Sequence, residues 1–437
     1  MTASESPQTG VARLDSLRIQ NFRLFLDEEF RLHPEVTVLI GRNDTGKSTV
    51  LAALELYAQI SLVGGFRAIL DETSNIGKSN APTVLEARWL VDGQQWTHRL
   101  ELDPKKPLER LTLSDNHKMW TWHPRERELS TNFSAEFKAH DLPRYVSLAR
   151  VDEKAWATET DVPPDVYEPL RVIQRFRVPT PFLFQWAALA SPSDLSSEPD
   201  NSGFGWAVWL QDLINRRDNS MEQLEERLRT LFPSFVNVRV HEEKVEISRK
   251  QNVIGGDDSI PKPEIKRRRP IELVERIAKD SSSRAVLIGI GPISEEAPSE
   301  RKVREWVPAK NVSSGLLLAL AHLALASVTN EGTLLLIEEP ENGLNHQIMF
   351  SVVKLLCEIT KSRRQQLVLT THNGTWLDIV PIESVRVCTR DESGAHIRET
   401  DSARVHDSLK KEGVYASELF YAFGPEALLS NPSVEVK

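Results

Sequence analysis

At 437 residues the chain has room for two or three domains of ~100–200 residues each. With 40% hydrophobic and 27% charged side chains it has a globular composition, which excludes a disordered or membrane-embedded class. A net charge of -9 excludes general attraction to phosphate backbones, so any nucleic-acid contact requires a local basic face, and two cysteines, Cys357 and Cys388, exclude a disulfide framework or a four-cysteine zinc site.

The opening M-T-A-S-E-S-P-Q-T-G lacks a basic n-region and an apolar h-region, so no secretion signal is expected. Between Leu14 and Gly41, L-R-I-Q-N-F-R-L-F and V-T-V-L-I predict short strands, and helical spacing of Leu, Ala and Ile follows from Lys47 to Leu62. The junction Gly41-Arg42-Asn43-Asp44-Thr45-Gly46-Lys47-Ser48 fits G-x-x-x-x-G-K-[ST], a loop whose backbone amides cradle phosphates at a helix N-terminus. These residues, with Thr49, are the candidate ATP site: Lys47 for the β- and γ-phosphates, Ser48 for Mg²⁺. Gly77-Lys78-Ser79 lacks the earlier glycine and a preceding strand, and reads as an ordinary loop.

Alternation from Val84 to Trp122, turned at Asp92-Gly93, predicts an antiparallel hairpin region, with a buried strand near Tyr145 to Leu148. Ser191 to Gly203, rich in Ser, Pro, Asp and Asn, predicts a linker. Trp206 to Phe232 predicts helices stopped by Pro233, and V-N-V-R-V and K-V-E-I-S predict strands, together a small inserted α/β unit. Within it Lys262, Lys266, Arg267, Arg268 and Arg269 beside Gly255-Gly256-Asp257-Asp258 are candidate nucleic-acid contacts, a solvated loop being the alternative.

Val312-Ser313-Ser314-Gly315 precedes an apolar helix, Leu316 to Ser327, where hydroxyls and amides either cap the helix or meet an anion. Its apolar stretch, broken by His322, falls short of the ~20 residues of a membrane span, so a cytoplasmic location without membrane contact is expected. Leu334-Leu335-Leu336-Ile337 predicts a strand ending in two carboxylates, Glu338 for the metal and Glu339 for the attacking water. Strand alternation is expected to send them in different directions. Q-L-V-L-T-T at 366–371 and V-R-V-C-T at 385–389 predict further strands of a parallel sheet, with His372 after Thr371 at its carboxyl edge. Neither an internal repeat nor an extended heptad run is present.

Taken in order, the loop at Gly41, V-S-S-G, L-L-L-I-E-E-P-E-N-G-L-N-H and T-T-H-N resemble the Walker A, signature, Walker B with D-loop, and switch motifs of ABC ATPases. L-R-I-Q-N-F-R-L-F and E-E-P-E-N-G-L-N-H look most like the RecF, SMC and OLD branch; the similarity covers Leu14 to Leu56 and Pro308 to Leu377. The implied fold class is α/β, an ABC ATPase head of the P-loop NTPase kind with a mixed and antiparallel β N-lobe and an inserted α/β unit. The expected bounds are 12–190 for the N-terminal lobe, 204–300 for the insert, 301–400 for the C-terminal lobe and 401–437 for a tail. The resemblance implies a homodimer or higher oligomer closing on two ATP molecules. Ser313, Ser314 and Gly315 would serve as signature in trans, Asn342, Gly343, Leu344 and Asn345 as D-loop, and Glu339 and His372 as catalytic residues. ATP and Mg²⁺, held by Ser48 and Glu338, are the implied cofactors.

Glu338 stands where transport ABC proteins carry Asp, Gln174 and Gln185 are the Q-loop candidates, and no Toprim-like acidic cluster follows the core. The resemblance implies an ATPase that acts on DNA or gates a separately encoded effector protein, as in bacterial phage defence. A RecF-like repair clamp is the alternative. A transporter subunit is disfavoured by the unrelated insert between Lys47 and Ser313.

Overall fold

The computed structural model describes residues 11–64, 81–103, 105–115, 117–126, 128–132, 137–138, 206–215, 219–244, 282–291, 303–329, 331–342 and 344–430. The chain divides into two compact units, Met1–Leu183 with Leu318–Lys437, and Phe184–Leu317. Among the described residues no helix is long and apolar enough to cross a membrane.

The first unit opens with β1 (Arg13–Phe22), β2 (Phe25–Arg31), β3 (Val36–Gly41) and helix α1 (Lys47–Ala58). It continues through β4 (Thr83–Val91), β5 (Gln94–Leu102), β6 (Leu108–Leu113), β7 (Lys118–His123), β8 (Glu128–Thr131) and β9 (Phe137–Lys138). All of these strands but β3 form an antiparallel sheet in the order β2-β1-β4-β5-β6-β7-β8-β9. Period-two burial sets its inner face: Leu85, Ala87, Trp89 and Val91 from β4 meet Trp96, Leu100 and Leu102 from β5. The turn between them uses positive φ at Asp92 (52°) and Gly93 (80°), as a tight hairpin demands.

Tyr57 of α1 reaches into this face. Its hydroxyl accepts the indole N–H of Trp89 at 3.1 Å and lies 2.5 Å from His98 Nδ1, while His98 Nε2 lies 2.9 Å from Glu109. All four side chains are buried, so their polar atoms need these partners, and burial holds the Tyr57 hydroxyl well above its ordinary pKa.

The second unit contains α2 (Trp206–Asn215), α3 (Ser220–Leu231) and an antiparallel sheet of β10 (Phe235–Lys244), β11 (Ser282–Ile290) and β12 (Glu305–Pro308). Helix α4 (Ser314–Val328) is apolar on every face and correspondingly buried, His322 included. It starts at Ser314, so Ser314 and Gly315 form its first turn instead of preceding it as expected.

The chain then adds β13 (Leu334–Glu338), α5 (His346–Ser362), β14 (Gln366–Thr371), β15 (Val385–Asp391), β16 (Gly394–Glu399), α6 (Ser402–Glu412) and α7 (Ala416–Phe423). A second sheet runs β13-β14-β3-β15-β16, the first four parallel and β16 antiparallel at the edge. Strands β3 and β14 are buried at every position and β13 at all but its last, as suits strands covered on both faces. The protein is thus a mixed α/β fold with a large antiparallel sheet and a parallel sheet carrying the P-loop.

A buried glutamine joins the two sheets: Gln366 on β14 accepts the Leu14 N–H at 2.7 Å and donates to the Leu14 carbonyl at 2.9 Å. Helix α1 ends at Ala58 and winds on as a π-type turn over Gln59–Gly64, where helix was expected to Leu62. Strand β10 runs unbroken to Lys244, and the rest of K-V-E-I-S lies outside the described residues. So do Gly77 to Ser79, Tyr145 to Leu148, Gln174, Gln185, the Ser191 to Gly203 linker and the basic residues Lys262, Lys266, Arg267, Arg268 and Arg269.

Candidate nucleotide site

The loop from Gly41 to Gly46 leaves the carboxyl end of β3 and turns directly into α1. Two of its glycines answer specific constraints. A Cβ at Gly41 would run into the Cys388 carbonyl of neighbouring β15, and Gly46 holds φ 101° with Phe25 Cζ 2.9 Å from where its Cβ would sit. Thr45 donates its hydroxyl to the Arg42 carbonyl at 2.8 Å, bracing the loop from inside. Lys47, only 5% exposed, donates to the carbonyls of Gly41 at 3.0 Å and Arg42 at 2.8 Å. Burial pushes its ammonium below the ordinary lysine pKa, countered in part by Cys388, Glu339, Glu338 and Glu341. A cleft of 330 Å³ opens over the loop, lined by Leu24, Asn43, Asp44, Gly46, Lys47, Ser48, Thr49 and His372.

The strand opposite brings its carboxylates to the same edge. Ser48 donates its hydroxyl to Glu338, the last residue of β13. Glu339 then breaks from the strand at φ 44°, a left-handed backbone that non-glycine residues adopt at a cost of ~1–3 kcal/mol. That backbone, with the strand already ended, separates the two carboxylates, where pleat alternation was expected to do so. The Glu339 N–H donates to the Thr370 carbonyl at 3.0 Å, and one of its carboxylate oxygens meets His372 Nε2 at 2.7 Å. Its other oxygen accepts the Asn342 amide at 2.6 Å.

The following turn is tied to the end of β14. Glu341 accepts the Thr371 hydroxyl, the His372 N–H at 3.4 Å and the Trp376 indole N–H at 3.2 Å. Burial raises its carboxyl above the usual range, the hydrogen bonds from Thr371 and His372 opposing that shift. Asn345 caps α5 by accepting the Ile348 N–H at 2.9 Å, and the Leu344 N–H donates to the Glu341 carbonyl at 3.0 Å. Gly343 lies outside the described residues.

A family model described as "AAA ATPase domain" matches residues 13–103, and one described as "AAA domain, putative AbiEii toxin, Type IV TA system" matches residues 194–377. The chain carries AAA-family ATPase domains. The loop at Gly41 falls within the first match, and Glu338, Glu339 and His372 fall within the second. Among solved structures, an SMC head bound to the C-winged helix domain of ScpA is similar at 11% identity and TM-score 0.46, over 88% of this chain and 97% of that one. An SMC head domain from Thermotoga maritima is similar at 13% identity and TM-score 0.39, over 89% and 99%. A third, an Smc head with an extended coiled coil bound to the C-terminal domain of ScpA and derived from Pyrococcus furiosus, has 10% identity and TM-score 0.43 over 92% and 100%. No curated protein matches.

In this ATPase, one sheet edge therefore gathers the loop of Gly41 to Thr49, Glu338, Glu339 and His372. Ser313 is exposed immediately before α4. Sequence reading missed three neighbours. Arg390 at the end of β15 pairs with the Asp44 carboxylate, Glu426 lies 3.7 Å from Arg42, and Glu341 anchors the segment after β14. Arg390 was findable, because V-R-V-C-T already placed it at the carboxyl edge of a strand, where ligands of parallel sheets collect. Glu426 and Glu341 gave no such signal, since each is defined by what it meets far along the chain.

Proposed function

We propose that the ATPase is a nucleotide-gated switch that closes as a homodimer, or a higher oligomer, on two ATP molecules and transmits that state to DNA or to a separately encoded effector. The observation that carries this reading is a single cleft lined by Lys47, Ser48 and His372, with Glu338 accepting the Ser48 hydroxyl and Glu339 meeting His372 at 2.7 Å. In the proposed assignment the head comprises 12–190 and 301–400, with 204–300 inserted and 401–437 following. The amides of Gly41 to Thr49 and the Lys47 ammonium take the triphosphate, whose oxygens replace the Gly41 and Arg42 carbonyls now bonded to Lys47. A serine hydroxyl beside a carboxylate is a hard-oxygen donor set that suits Mg²⁺, so Ser48 and Glu338 would hold it. When bound, the ion supplies charge neutralisation at the phosphates.

Glu339 is the general base. It takes a proton from water as the water oxygen bonds the γ-phosphorus and the bridging oxygen departs with ADP. His372 orients that carboxylate and reports on the γ-phosphate. Ser313, Ser314 and Gly315 of one subunit complete the site of the other, and Asn342, Gly343, Leu344 and Asn345 carry the signal between sites. The match to a model named for a type IV toxin–antitoxin system supports effector gating in bacterial defence over a RecF-like repair clamp. We place the protein in the cytoplasm.

Size-exclusion chromatography of Glu339→Gln tests this reading. The variant is expected to bind ATP, lose hydrolysis by ~100-fold or more and elute as a dimer only with ATP. Lys47→Ala should remove nucleotide binding, and Ser313→Arg should keep binding yet block ATP-dependent dimerisation. A Glu339→Gln protein that remains monomeric at saturating ATP refutes the switch.

A further inference from the structure

We propose that Glu341 is a positioning residue for hydrolysis: its carboxylate ties the end of β14 to the turn after β13 and thereby sets His372 against Glu339. This rests on the roles proposed above for Glu339 and His372. Besides the N–H of Glu341 itself, three donors from one short segment converge on its carboxylate. They are the Thr371 hydroxyl, the His372 N–H at 3.4 Å and the Trp376 indole N–H at 3.2 Å. The Thr371 oxygen already accepts the Asn373 N–H at 2.9 Å, which leaves its proton to point at Glu341.

A carboxylate, with acceptors on both oxygens, satisfies that arrangement. A carboxamide does not, since it turns an N–H₂ toward one of the N–H or O–H donors and leaves a buried polar group unpaired. Sequence position makes the contact consequential. Glu341 shares a turn with Glu339, closed by the Asn342 N–H on the Glu339 carbonyl at 3.0 Å, so the two carboxylates move together. Across the turn, the backbone that Glu341 holds belongs to His372, whose ring returns to Glu339 at 2.7 Å. The contacts therefore form a closed circuit from Glu339 through Glu341 to His372 and back. Of the three residues that donate to the Glu341 carboxylate, Thr371, His372 and Trp376, His372 is the one that lines the cleft, so the hydrogen-bonded route from Glu341 to the chemistry runs through His372.

A double-mutant cycle on the full chain reads this directly. In the wild-type background Glu341→Gln should lower kcat about tenfold or more while a fluorescent ATP analogue binds within about twofold of wild type. In a His372→Ala background the same substitution should change kcat by less than about twofold. Equal fold losses in the two backgrounds would mark Glu341 as a general fold anchor and overturn the proposal. So would an unchanged kcat, or a loss confined to nucleotide affinity. His372→Ala alone separates the layers: wild-type turnover in that variant removes the site assignment itself and with it the route by which Glu341 acts. Should circular dichroism show Glu341→Gln unfolded, Thr371→Val deletes one donor instead, and its loss in kcat must likewise vanish beside His372→Ala for the proposal to stand.

Discussion

Gly46 and Gly93 both hold positive φ, 101° and 80°, yet they sit in different surroundings. At Gly93 an added Cβ meets nothing within 4 Å, so Gly93→Ala should cost about 1 kcal/mol of backbone strain and leave nucleotide affinity unchanged. At Gly46 the same methyl meets Phe25 at 2.9 Å, and the residue both ends the loop and precedes Lys47. Gly46→Ala should therefore cost ~1–3 kcal/mol in urea unfolding and weaken nucleotide binding at least tenfold, checked by calorimetric titration. The glycine and lysine spacing of this loop was legible because its chemistry is contiguous: eight neighbouring residues carry the whole phosphate cradle. Glu341 was not, although it stands in the same E-E-P-E-N run as Glu338 and Glu339. Its partners Thr371, His372 and Trp376 lie on another strand's end, and only the register of β13 against β14 brings them together.

Among the elements, α4 combines an apolar surface on all sides with one imidazole. Complete burial pushes the His322 pKa from 6.5 down to about 4. The folded chain keeps this ring neutral over a range in which the unfolded chain binds a proton, so stability is lost as pH falls from about 6.5 toward about 4. His322→Leu removes that linkage. Its urea midpoint should fall less than that of the wild type between about pH 7.5 and about pH 5, and an equal fall in both proteins would show that the proton burden lies elsewhere. The buried elements were readable from pattern: β13 and α4 are near-continuous apolar runs, and β14 centres on L-V-L. The short C-terminal elements were not. Helix α6 buries Val405 alone, and α7 owes its position to tertiary partners: Tyr421 donates to Asn373 at 2.8 Å and Ser417 to Asp378 at 2.5 Å. Among the described residues β11 pairs with β10 and β12, and β12, at four residues, is too brief a pattern to distinguish from loop.

At the scale of the whole molecule, net charge of -9 argues that any polynucleotide is gripped locally. If the basic run serves that purpose, replacing Lys262, Lys266, Arg267, Arg268 and Arg269 by Gln should weaken DNA binding and flatten its dependence on salt, measured by fluorescence anisotropy across an ionic-strength series. An unchanged slope would leave the effector as the remaining partner. Large-scale order also has a temporal side. Strand β3, which launches the nucleotide loop, is flanked on both edges by strands made far later, β14 at Gln366–Thr371 and β15 at Val385–Asp391. At ~5–20 residues per second a ribosome needs tens of seconds to deliver those flanks. Until then the apolar V-T-V-L-I segment has neither lateral hydrogen-bonding neighbour, so nascent chains stopped short of β14 should hold no triphosphate and invite chaperone capture. Competence for ATP is thus a property acquired only once β14 and β15 have been made.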